Sequence, residues 1–84
     1  MLTINYFASL REELGTASES LALPQGVSDV EGLIAHLVDE REPVWSALRD
    51  SSRVLVAVDQ CIVGRAHVLA GNEEVAFFPP MTGG

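Results

Sequence analysis

The 84-residue sequence predicts one α+β domain in which an amphipathic helix lies against a face of a sheet, in the order β, β, α, β, β, β with short extra helices. Three observations predict it. Leu2, Ile4 and Tyr6 alternate with Thr3, Asn5 and Phe7, the period of two that a half-buried strand requires. Val30, Leu33, Ile34, Leu37 and Val38 recur at the spacing of a helix with one apolar stripe. Val54, Val56 and Val58 alternate with Leu55 and Ala57 in a β-branched run, the strongest strand signal in the chain.

Each element has its own boundary signals. Residues 2–7 form the first strand. Ser9 and Glu12 have the spacing of a capping box and Gly15 can supply a left-handed stop, so a turn or two of helix is expected at residues 10–14. Glu19, Leu21 and Leu23 alternate with Ser20 and Ala22 until Pro24 removes a ladder donor, giving a second strand antiparallel to the first. Ser28 and Glu31 form a second capping box at the start of the main helix. That helix ends before Pro43, and Asp39, Glu40, Arg41 and Glu42 form a solvated tip. Gly32 costs roughly 1 kcal/mol against alanine inside a helix, which close packing on the sheet would explain. Val44, Trp45 and Leu48 suit a short helix that caps one end of the core, with Trp45 supplying a large apolar area. The strand at Val54 to Val58 is placed centrally, Asp59 and Gln60 turn into a short strand at 61–63, Gly71 and Asn72 turn again, and Val75 to Phe78 form the last strand.

Composition excludes several functions. The longest uncharged apolar stretches are too short to cross a bilayer, and the N-terminus lacks the features of a secretory signal, so a cytoplasmic protein with no membrane role is expected. Cys61 is the sole cysteine, which leaves no internal disulfide and too few ligands for a cysteine zinc site. A persulfide on Cys61 competes with the plainer expectation of a small buried hydrophobe. His36 stands four residues before Glu40 and reads as a solvated pair, and His67 has no companion, so no metal site follows. Twelve acidic residues against five arginines, a net charge of −7, repel nucleic acid.

The tail carries the chemistry. After Phe78 the sequence reads Pro79, Pro80, Met81, Thr82, Gly83, Gly84. A terminal pair of glycines arises by chance in about one chain in 200. Two prolines hold the segment extended, so its six residues would project roughly 20 Å. Glycines without a Cβ can enter a channel too narrow for side chains. A stiff base, a thin tip and a terminal carboxylate together point to delivery of that carboxylate into another protein's active site. A free carboxylate is a poor acyl donor, so it would first become a mixed anhydride with a nucleotide phosphate, which sulfur could displace to leave a thiocarboxylate. The competing reading is a frayed, functionless C-terminus.

At these residues the sequence resembles the small, sulfur-carrying subunits of molybdopterin synthase. The match is sharpest over Val75-Ala-Phe-Phe-Pro-Pro-Met-Thr-Gly-Gly84, with support from Tyr6-Phe-Ala-Ser-Leu-Arg-Glu-Glu-Leu-Gly15 and Val56-Ala-Val-Asp-Gln60. The resemblance implies a ubiquitin-like β-grasp, a mixed sheet packed on one main helix, spanning residues 1–78, with 79–84 as the tail. It implies that Gly84 is adenylated by a ubiquitin-activating-like adenylyltransferase using ATP and then converted to a thiocarboxylate with a sulfurtransferase as sulfur source. It further implies that the tail, Pro79 to Gly84, enters the large subunit of a heterotetramer of two small and two large subunits. There two sulfurs pass to cyclic pyranopterin monophosphate, forming molybdopterin. The catalytic residues then lie on the large subunit, and the carrier binds no cofactor stably and no metal. Ile62 and Phe78, with Phe7 and Arg11, are the expected partner interface, ordinary core packing being the alternative for Phe7 and Phe78. Asp59 departs from a usual asparagine, Gly71-Asn72 from a frequent Asp-Gly turn and Met81 from a common valine. A protein modifier forming isopeptides, a thiamine-type sulfur carrier and an inert binding module remain the alternatives. In each the domain has no convergent acid, base and nucleophile of its own.

Overall fold

Leu2, Ile4 and Tyr6 are buried along β1 (Leu2–Tyr6), as their alternation predicts. The computed structural model describes residues 1–80; Met81, Thr82, Gly83 and Gly84 lie outside the described residues. The chain passes from β1 directly into α1 (Ala8–Leu14), and the capping box expected at Ser9 and Glu12 does not form. Phe7 is the N-cap, with extended backbone and no side-chain cap bond, and Ala8 stands at φ 53. The bend into the helix is thus made by left-handed backbone, which leaves Ser9 inside the first turn. Gly15, at φ 70, stops the helix as expected, its N–H donating to the Arg11 carbonyl. β2 (Ser18–Leu21) pairs antiparallel with β1, Leu2 opposite Leu21. It ends before Leu23, whose side chain packs against the core margin.

α2 (Val30–Glu40) buries Val30, Leu33, Ile34 and Leu37. Its cap is Asp29 and not Ser28: Asp29 Oδ1 accepts from the Gly32 N–H at 2.8 Å. The N–H groups of Val30 and Glu31 donate instead to the carbonyls of His67 and Arg65, at 3.0 and 2.7 Å. A loop distant in sequence therefore completes the helix start, and buried Leu69 anchors that loop. A Cβ on Gly32 would lie 3.2 Å from Asp29 Oδ1 and 3.3 Å from Val27 Cγ1. The close approach at Gly32 is to the helix's own capping segment, not to the sheet.

Arg41 likewise departs from the solvated tip. Both of its terminal nitrogens donate to Glu19 at 2.7 Å, its guanidinium lies 4.4 Å from the centre of the Trp45 ring, and the Tyr6 hydroxyl donates to Glu19 at 2.8 Å. Burial, followed by the bond to Glu19, pushes the Tyr6 hydroxyl to a higher pKa, while Arg41 pulls the Glu19 carboxyl down. A 3-10 helix (Pro43–Arg49) buries Trp45 and Leu48 and closes that end of the core as predicted, leaving Val44 exposed. Tyr6 meets Trp45 edge-on at 5.3 Å and stacks on Phe77 at 5.8 Å.

β3 (Leu55–Val58), β4 (Cys61–Val63) and β5 (Glu74–Phe78) complete a sheet of order β2-β1-β5-β3-β4. β5, and not β3, holds the centre, because it pairs parallel with β1 and antiparallel with β3. Asp59 and Gln60, at φ 49 and 72, turn β3 into β4. Cys61 is exposed on this edge strand and is not the buried hydrophobe expected. The result is a mixed sheet folded over one main helix, a ubiquitin-like β-grasp.

Candidate functional site

The position of β5 decides where the tail begins. Hydrogen-bonded on both sides, β5 ends in the middle of the sheet, with Tyr6 opposite Phe77 and Leu55 opposite Phe78. The Phe7 N–H donates to the Phe77 carbonyl at 3.1 Å and extends the ladder to the end of β5, just before the tail. Pro79 and Pro80, the described part of the tail, are both half-buried. They border a cleft of ≈ 510 Å³, to which α1 brings Ser9 and Glu13, the 3-10 helix Ser46, and the segment after it Asp50, Ser52 and Arg53. The Ser52 hydroxyl and N–H donate to Asp50 at 2.6 and 3.1 Å and hold its carboxyl below the usual range.

Beside the tail's root lies the sheet face turned away from α2. Alternation puts Asn5, Ala76, Ala57 and Ile62 in one row across it, with Leu55 and Phe78 two residues further along. Ile62 is 69% exposed and Phe7 48%, so Phe7 is not core; Phe78 is half-buried. From strand spacing and rise, Ile62 and Phe78 stand roughly 12 Å apart on this face. Phe7 adjoins Phe78 across the β1–β5 ladder, and Arg11 is exposed one helical turn beyond Phe7. The structure thus brings Phe7, Ile62 and Phe78 to one surface at the tail's base. Half-buried Leu55 and Ala76 share that face, and the alternation that sends Val56 and Val58 inward sends Leu55 and Ala57 toward it, Ala57 itself being covered by its neighbours. The cleft was missed altogether.

Such a face offers area for association and no acid–base pair. Among the described residues no group of three or more His, Cys, Asp and Glu could hold a metal ion, and no hydrogen bond joins His36 to Glu40. No described helix is long and apolar enough to cross a membrane. The expected reactive positions, Gly83 and Gly84, and the neighbouring Met81 and Thr82 lie outside the described residues.

Comparison with known proteins gives a consistent result. The model of the ThiS family matches residues 4–84. The chain is 36% identical over 84 residues to the molybdopterin synthase sulfur carrier subunit of Escherichia coli (strain K12), covering 100% of both chains. It is 30% identical to the protein of the same name from Haemophilus influenzae, again over 100% of both. Among solved structures, a putative molybdopterin converting factor, subunit 1, from Pyrococcus furiosus superposes with a TM-score of 0.73 at 24% identity, covering 95% of this chain and 97% of that one. At that identity the likeness speaks for the fold.

Proposed function

We infer the function from one premise, that the chain belongs to the ThiS family: it acts as the sulfur carrier subunit of molybdopterin synthase. The observation that carries this reading is full-length similarity to carriers of that name. The tail root at the centre of the sheet, beside an apolar face, supports it. On this reading residues 1–78 are a docking domain, 79–84 are the delivery arm, and the working group is an α-carboxylate on Gly84.

The chemistry follows from what a carboxylate can do. Its oxygen attacks the α-phosphorus of ATP in an activating adenylyltransferase, pyrophosphate leaves, and an acyl adenylate remains. A sulfur nucleophile provided through a sulfurtransferase then attacks the acyl carbon, and AMP departs to leave a thiocarboxylate. In the large subunit the anionic sulfur forms a C–S bond at a side-chain carbon of cyclic pyranopterin monophosphate as that carbon's C–O bond breaks, the oxygen leaving with the ring-opened phosphate or as water. Water then cleaves the acyl–sulfur bond to return the carboxylate. Two such transfers make the dithiolene, in an assembly of two small and two large subunits working in the cytoplasm. Ile62, Phe78 and Phe7 supply apolar contact to both partners, and Arg11 a charge at its margin. The carrier aligns and delivers; acid, base and nucleotide sites belong to its partners.

Incubation with the activating enzyme, ATP and a sulfur donor tests this. Intact mass should rise by the difference between sulfur and oxygen, localised to the C-terminal peptide. An unchanged mass under conditions where a known carrier is converted sinks the proposal, and accumulation of lysine conjugates in its place favours a protein modifier.

A further inference from the structure

The cleft beneath Pro79 and Pro80 has no part in the chemistry above, yet it lies where any enzyme that swallows the tail must touch the domain. Two of its walls bring carboxylates: Glu13 from α1 and Asp50 from the end of the 3-10 helix. Neither forms a salt bridge among the described residues, while Arg41 and Arg49 are taken up by Glu19 and Asp39. Hydroxyls of Ser9 and Ser46 line the same space, as does Arg53, which with Arg65 favours the charged form of Asp50. The volume, ≈ 510 Å³, suits a long side chain, and a chain of net charge −7 favours a basic one.

We propose that this cleft seats an arginine or lysine from the rim of the large subunit's tail channel, held between Glu13 and Asp50 while the tail is engaged; this rests on the reading that the large subunit takes up the tail. The apolar sheet face would then supply contact area, and the cleft would fix the orientation in which the tail enters. A charge held in direct contact with two carboxylates acts on dissociation, whereas a charge that merely contributes to the protein's field acts on association.

The kinetics of binding to the cognate large subunit separate the two. Glu13→Gln and Asp50→Asn keep shape and remove charge at exposed positions. In combination they should raise koff about tenfold or more with kon within about threefold, while Glu12→Gln, outside the cleft, should change neither. Ser46→Trp, which fills the space, should raise koff as the charge removals do. Unchanged koff in these variants, or a loss confined to kon, overturns the proposal. So does weaker binding to the activating enzyme alone. The parent reading is checked separately: a carrier lacking Gly83 and Gly84 must fail to support pterin sulfuration. If it succeeds, the tail reading has failed; if it fails while the cleft variants bind normally, only the cleft assignment has.

Discussion

Removing the Glu19 carboxylate should unfasten the polar bond that ties β2, β1 and the end of α2 together. Glu19→Ala deletes one bond from Tyr6 and two from Arg41. The Arg41 and Glu19 side chains are 25% and 21% exposed, so the pair sits between a surface ion pair and a buried one. That position sets its loss at about 1.5 kcal/mol, above the surface median and below the cost of breaking a buried pair. The Tyr6 hydroxyl, on a residue 1% exposed, loses its acceptor at a further cost of about 1 kcal/mol. Together about 2.5 kcal/mol should go, which in a domain of this size lowers Tm by about 10–20 °C. Calorimetry at pH 7 reads the shift, and urea titration across pH reads its cause. The folded-state pKa of Glu19 is lowered from 4.5, chiefly by Arg41. Its contribution is therefore present above pH 4.5 and is lost as pH falls through the folded value. Wild type should weaken along that acid limb, and Glu19→Ala should be flatter there. A loss under about 0.5 kcal/mol, or an identical acid limb, would refute the assignment of this network as structural support.

Other substitutions probe other links. Tyr6→Phe should remove an alkaline limb, because a hydroxyl whose pKa is raised from 10.0 in the fold stabilises below pH 10 and ceases to as pH climbs further; urea midpoints between pH 9 and roughly 11 read this. Asp29→Ala should cost about 1 kcal/mol by releasing the Gly32 N–H, seen as a lower urea midpoint at constant m-value. Gln60→Gly should stabilise by about 0.5 kcal/mol, since residue 60 stands at φ 72 in a two-residue hairpin turn, and Tm should rise. Ile62→Asp should leave stability within about 0.5 kcal/mol because Ile62 is 69% exposed, while weakening large-subunit binding by about tenfold or more in titration calorimetry.

What could be read from the sequence was local and periodic. Leu2, Ile4 and Tyr6 declared their face, the 30–38 stripe declared the helix, and both turned out buried where expected or packed at the core's margin. The caps were misplaced because Ser-x-x-Glu is satisfied on paper by Ser9 and Ser28, while the folded chain has other means. Ala8 turns the backbone itself at φ 53, and the carbonyls of Arg65 and His67 cross more than thirty residues to the start of α2. No local pattern encodes the second device. Nor does one encode the central place of β5, which depends on a parallel pairing between residues 3–6 and 74–77.

The two halves of the candidate site differ in the same way. Ile62 and Phe78 were expected from the family resemblance, and Leu55 and Ala57 were implied by the strand's alternation. The cleft was hidden because its walls come from residues 9–13, 46–54 and 79–80, three stretches with no common pattern, joined only when α1 and the 3-10 helix close over the end of the sheet. A tail motif can therefore announce what chemistry leaves the domain, since reactivity at a glycine carboxylate needs no fold. On the proposed docking, partner choice rests on the surface around Pro79 and Pro80, which exists only after folding. Selectivity between partners should accordingly change under substitutions at Glu13, Asp50 or Ile62 that leave the chemistry of the tail untouched.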